Sequence, residues 1–396
     1  MSQDWKTTRI SDICKTNPNT YSVSEKWSYV NYLDTGSITE NSVSEIQHLV
    51  IGRDTLPSRA RRKVVVDDIL YSTVRPNQRH YGIVKDVVPN MLVSTGFAVI
   101  RVDKAKADAD YLYYYLTQND IVDGLDAIGE QSVSAYPSIK PSDIESLELI
   151  LPSLPEQVEI GRTLKALDDK IANNTKINHH LVQMAQAIFK SWFVDFEPFG
   201  GVMPDDWREG TLSEIAIITM GQSPDGASYN EEGIGTVFYQ GRAEFSSRFP
   251  TRRLFTTQPK RMASKGDVLM SVRAPVGDLN VAFESCCLGR GLAGIQSNNG
   301  CQSFVLYTMF ALKQQLDVFN GVGTVFGSIN KNDMANLPVL IPTFEVLRQF
   351  EELVNPMDAA IEANYEESCN QQVVRDSLLP RLMSGELSVT DLCAAK

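Results

Sequence analysis

The six cysteines (Cys14, Cys286, Cys287, Cys301, Cys369, Cys393) form no C-x-x-C pair, and the four histidines, at 48, 80, 179 and 180, have no ligand spacing. His179 and His180 are adjacent and would point apart on a helix, so reduced cysteines and no metal are expected. No apolar run approaches the roughly 18 residues of a membrane span, and MSQDWKTTRI has no apolar leader core. A soluble, cytoplasmic protein without a membrane partner is expected. There is no G-x-x-x-x-G-K-[ST] phosphate loop, no H-E-x-x-H, no G-x-S-x-G elbow and no glycine-rich cofactor loop of the right spacing. An Asn/Asp-Pro-Pro-aromatic tetrapeptide, which would position an amino group for methyl transfer, is absent too. Each absence removes one mechanism, and together they favour a reader over a catalyst, with no catalytic residue and no cofactor on this chain.

Net positive charge is also lacking: 49 Asp and Glu against 37 Lys and Arg give −12. The distribution matters more than the total. One basic window holds Arg53, Arg59, Arg61, Arg62, Lys63, Arg75, Arg79 and Lys85 against three Asp. A second holds Arg242, Arg248, Arg252, Arg253, Lys260, Arg261, Lys265 and Arg273 against Glu244 and Asp267. A lone charge run is usually a solvated face, but two matched windows in an acidic chain suit a strand of phosphates. Their basic residues other than Lys85 and Lys265 are the candidate DNA contacts, without distinction between base and phosphate.

The windows belong to a wider duplication. SIKPSDIESLELILPSLPEQ at 138–157 recurs as SINKNDMANLPVLIPTFEVL at 328–347, an offset of 190. Trp5 pairs with Trp207, and DDILYSTVRP with KGDVLMSVRAP, where Arg75 is matched to Arg273. The offset shrinks along the chain, so the halves share an architecture and differ in their loops, where function varies. A period this long implies two whole domains, not a solenoid. Runs such as KVVV, DDILYSTV and GFAVIRV read as strands, and ADYLYYYLTQ and SFVLYTMFALKQQL as helices. Each half is therefore read as an α+β domain whose last strand is LELILP or LPVLIP.

After each of those strands the apolar period changes. Ile160, Leu164, Leu167, Ile171, Asn174, Leu181, Ile188 and Trp192 follow alternating steps of a heptad seam. A shift of 190 gives Phe350, Val354, Met357, Ile361, Asn364, Leu378 and Leu382, with Gln371 and Arg375 as polar interruptions. Two matched seams, each with an Asn, predict two long helices paired as a coiled coil, antiparallel if the halves are related by a two-fold axis. Asn355-Pro356 predicts a break and restart in the second helix, and Pro380 an end or kink. Positions 343–392 hold ten acidic and three basic residues, a surface suited to a protein partner.

IFKSWFVDFEPF at 188–199, PDDWREGTLSEI at 204–215, KGDVLMSVRAP at 265–275 and SLLPRLMSGEL at 377–387 resemble the signatures of specificity subunits of type I restriction-modification enzymes. The resemblance spans nearly the whole chain and departs where the Glu-Gln after the strand-ending proline becomes Glu345-Val346. It implies two similar α/β-type target-recognition domains, 1–153 and 200–342, separated by spacer helices in 154–199 and 343–396, in a pseudo-two-fold repeat. It further implies a non-catalytic subunit that reads a bipartite site on double-stranded DNA. Two modification subunits, holding S-adenosylmethionine for adenine methylation, would dock on it, and restriction/translocase subunits would complete the phage-defence complex. A coiled-coil scaffold that binds only proteins and an unrecognised DNA-acting enzyme stay open.

Overall fold

A computed structural model describes residues 5–132, 136–321 and 327–389. The chain divides into two compact units, Met1–Ala172 with Ser368–Lys396, and Asn173–Glu367.

In the first unit, strand Lys6–Arg9 pairs antiparallel with Glu148–Leu151, so the domain closes on its own ends before the helix Leu154–Phe193 begins. The start of that helix is pinned by its neighbours. Buried Gln157 accepts from the Asp108 amide at 3.0 Å and donates to the Pro152 carbonyl at 3.0 Å, while Glu156 accepts from the Trp5 indole at 3.1 Å. Asp108 itself caps the helix Ala109–Leu116 by accepting from the Tyr111 amide at 2.9 Å. One sheet runs Cys14–Thr16, Phe97–Val102, Ile69–Ser72, Tyr81–Ile83, all antiparallel. Its apolar central strands are buried, as their sequences dictate. The other runs Gln47–Val50, Tyr29–Leu33, Met91–Ser94, Ala60–Lys63, with the middle pair parallel.

The second unit repeats this plan. Arg208–Thr211 pairs with Pro338–Ile341, and one sheet runs Ala216–Met220, Leu292–Ser297, Val268–Ser271, Leu279–Val281. The other runs Tyr229–Asn230, Leu254–Thr256, Thr236–Tyr239, Cys286–Leu288, Met262–Ala263, again with one parallel pair, Thr236–Tyr239 with Cys286–Leu288. Even the turns match. Asp68 accepts from the Val65 amide at 2.8 Å behind a left-handed Asp67, and Asp267 accepts from the Ser264 amide at 2.7 Å behind a left-handed Gly266.

That shared turn corrects two sequence expectations. KVVV is not a strand: the pairing residues are Ala60–Lys63, and Val65 and Val66 are exposed in the turn. Likewise Arg75 is not the counterpart of Arg273. The Arg75 amide donates to the Pro137 carbonyl as the Ala274 amide does to Gly327, and Val74 bridges Ser138 as Arg273 bridges Ser328. The backbone therefore matches Arg75 to Ala274, one residue away from the pairing of the two arginines.

The second long helix, Phe344–Met383, runs through Pro356 without the expected break. Pro356 and Glu352, whose carbonyl loses its helical donor there, both lie on the exposed side, where water can satisfy the carbonyl, while Phe350, Val354 and Ile361 are buried on the other. Pro380 is also exposed, and the helix ends three residues beyond it.

Each unit contains part of both long helices. In the first, Ile160 and Leu164 join a core with Leu378 and Leu382, and Leu167 and Ile171 are half-buried. Arg375 is satisfied by Asp168 at 2.7 Å, and that carboxylate also accepts from the Tyr114 hydroxyl at 2.6 Å. In the second unit, buried Asn174 donates to the Asn364 carbonyl at 3.2 Å and to Glu367 at 2.9 Å. Asn364 donates to Asn178 at 2.8 Å, and Asn178 to the Ile361 carbonyl at 3.1 Å. Leu181, Ile188, Trp192 and Met357 pack at the margin of the core. At the end of the first helix it is Phe189 and Phe193, one residue beyond the expected seam positions, that are buried, because Phe304, Phe350 and Trp207 surround them.

Candidate nucleic-acid interface

In the first unit the basic window falls on a sheet edge. Arg61, Arg62 and Lys63 lie on the edge strand Ala60–Lys63, and Arg59 is exposed just before it. Arg62 is the most telling of them. Its Nε is buried with no hydrogen-bond partner, and partial burial lowers its pKa, while the side chain as a whole stays half-buried at the strand edge. A phosphate would supply what is missing. Lys63 pairs with Glu25 and lies 5.2 Å from the Trp27 ring centroid. Arg53 is tied to Asp54, and Arg79 to Asn119 at 2.7 Å, with Glu40 3.5 Å away. Arg75 projects over the exposed Tyr136 ring, 5.3 Å from its centroid. Lys85 is bound to Asp67 and Asp110 and serves the domain's own packing.

The second unit presents the same edge. Met262 pairs with Cys287 as Lys63 pairs with Leu92, which places Lys260 and Arg261 opposite Arg61 and Arg62; both are exposed. The other arginines divide by partner. Arg242 is held by Asp278 at 2.6 Å, Arg252 by Glu284 and Arg253 by the buried Glu244. Arg248 is buried against the second long helix, where Asp358 also accepts from Tyr307 at 2.8 Å and Ser303 at 2.7 Å. Lys265 pairs with Glu362 of that helix. Arg242, Arg253, Arg273 and Arg290 together line a cleft of about 340 Å³ with Gln240 and Glu244.

Arg290 lies outside the basic window and was invisible to charge counting; its signal is its place between Gly289 and Gly291 in the turn joining two strands. Tyr136 and Trp27, the aromatic partners of Arg75 and Lys63, were equally silent in the sequence. Among the described residues no group of three His, Cys, Asp or Glu side chains could hold a metal ion, and no helix is long and apolar enough to cross a membrane. Cys14, Cys286, Cys287 and Cys301 are buried, and Cys393 lies outside the described residues. Burial pushes the Cys14 and Cys286 thiols up to about 12, far from a reactive thiolate.

Comparison with known proteins agrees with this architecture. The HindI type I restriction enzyme specificity subunit of Haemophilus influenzae is 23% identical over 468 residues, covering 97% of this chain and all of that protein. A Methanocaldococcus jannaschii protein, provisionally the MjaX type I specificity subunit, is 28% identical over 407 residues, covering 98% of this chain and 94% of its own. In fold, the chain resembles the solved type I restriction-modification S subunit from M. genitalium, with a TM-score of 0.63 at 16% identity over 96% of each chain. The family model described as "Type I restriction modification DNA specificity domain" matches residues 2–183 and 204–366. With both halves matched, the chain belongs to the type I restriction-modification DNA specificity family.

Proposed function

We propose that this chain is the non-catalytic, DNA-reading subunit of a type I restriction-modification complex, in which each half reads one part of a bipartite site on double-stranded DNA. The observation that carries the reading is the recurrence of a basic pair on the same sheet edge in both halves, Arg61-Arg62 and Lys260-Arg261. Both halves need phosphate contacts whatever bases they read, so a feature kept in both suits the backbone. Arg59 and Arg75 extend this surface in the first half; Arg53, Arg79, Arg242, Arg252 and Arg253 reach DNA only as members of ion pairs or hydrogen bonds within the protein. Residues 1–153 and 200–342 are the two target-recognition domains, and 154–199 and 343–396 the spacer regions.

The two long helices form an antiparallel coiled coil in this proposal. Its support is that partner numbers fall on one helix as they rise on the other: Asp168 with Arg375, Asn174 with Asn364, Asn178 with Ile361. The exposed acidic side chains of the second helix, such as Glu345, Glu352 and Glu366, repel DNA and suit docking of two modification subunits. Those partners would hold S-adenosylmethionine, and restriction subunits would join the larger assembly. A footprint on duplex DNA, measured with the modification subunits present, tests the function. Two protected segments at fixed sequence are expected; protection without sequence preference would leave a scaffold role.

A further inference from the structure

Three of the four arginines that line the cleft of the second domain have no arginine at the matched position of the first. Gly291 accepts from the Val272 amide as Gly96 accepts from Thr73, which matches Arg290 to Thr95. Arg273 is matched to Val74 through their bridges to Ser328 and Ser138. Leu288 pairs in parallel with Tyr239 as Val93 does with Leu33, so Gln240 and Arg242 fall opposite Asp34 and Gly36. Where the second domain carries three arginines and an amide, the first carries valine, threonine, glycine and an acid.

We infer that this cleft is a base-reading site for guanine in the half-site of the second domain, with Arg273 and Arg290 as the readers. The inference rests on the DNA-reading function proposed above. A phosphate contact is needed in both halves, and the edge-strand basic pair that recurs in both meets that need. Arginines confined to one half do what the halves do differently, which is to read bases.

The cleft also sorts its own arginines. Arg242 and Arg253 are tethered to Asp278 and Glu244, whereas Arg273 and Arg290 are exposed and form no ion pair among the described residues. The charges of the tethered pair are offset by their carboxylates; the untethered pair carry the cleft's positive charge and have donors to spare. Glu244 in the wall and Asp278 behind Arg242 offset two of the four arginine charges, while a neutral base edge asks only for donors. An arginine fork matches the O6 and N7 acceptors of guanine, the commonest specific contact in the major groove.

The test maps methylation by the complete complex with modification subunits on a library of randomised targets, comparing the intact chain with Arg273→Gln/Arg290→Gln and with Lys260→Ala/Arg261→Ala. The intact complex should require guanine at a fixed position of one half-site. The glutamine pair should lower that preference by about tenfold or more, with the other half-site and the salt slope of binding unchanged. The alanine pair should weaken binding evenly across sequences and reduce the slope by about two. Both pairs are exposed, so folding should survive in either. A half-site without guanine, or glutamine variants that behave like the alanine pair, would overturn the guanine site while leaving DNA reading intact. An intact complex with no sequence preference would overturn both together.

Discussion

Glu351 lies on the second long helix beside Phe350 and accepts from the Phe304 amide at 2.8 Å. It thereby caps the helix Gln302–Ala311 from outside, since the residue before that helix, Cys301, makes no side-chain cap. Burial outweighs this hydrogen bond and pushes the carboxyl from its ordinary 4.5 up to about 7. At roughly 1.4 kcal/mol per tenfold, that displacement is worth about 3 kcal/mol, reduced to about 1–2 kcal/mol by partial contact with solvent. The folded-state value lies above the unfolded one, so the linked stability is fully present below pH 4.5 and is lost as pH rises through about 7. Glu351→Gln keeps the acceptor and removes the titration. Hydrogen exchange in peptides spanning 302–311, taken as the ratio of variant to wild type at each pH, cancels the intrinsic exchange rate. Between pH 5 and pH 8 the ratio should move in favour of the variant by about five- to thirtyfold. A ratio that stays constant across that range would refute a raised carboxyl, whatever the absolute protection.

Arg375→Met strands Asp168, which keeps only the Tyr114 hydroxyl of the two partners described above, and should cost about 1–2 kcal/mol in urea unfolding; adding Asp168→Asn should recover part of it, and full additivity would deny the coupling. Asn174→Leu removes a donor from Glu367 and should cost about 1–2 kcal/mol by the same assay, whereas a gain in stability would mean the Asn cluster is paid for elsewhere. Arg61→Ala/Arg62→Ala should lower the slope of log affinity against log salt by about two, and an unchanged slope would move the phosphate contacts off this strand. Exchanging residues 1–150 for the matching domain of a relative should change one half of the methylated sequence; change in both halves would contradict independent reading.

The duplication and the long helix after each strand-ending proline were legible because each leaves a periodic or repeated trace in side-chain type. What escaped depends on backbone register or on which side faces water. KVVV looks more strand-like than ARRK, yet the Asp68 carboxylate holds the valines in a turn and leaves the basic residues to pair. The Arg75–Arg273 match follows letters, while the hydrogen bonds to Pro137 and Gly327 follow the chain. Pro356 announces a break only if its lost bond cannot be hydrated, and exposure is not written in the sequence. The four-arginine cleft gathers residues from four separate loops and strand ends, so charge counting found three of its arginines and missed Arg290, the one isolated between glycines.

The most direct test of two-part DNA reading is to map modified adenines across a whole genome for the complex containing this chain. The account predicts one motif made of two fixed half-sites separated by unread positions. Methylation at a single uninterrupted motif, or at adenines without sequence context, would contradict it.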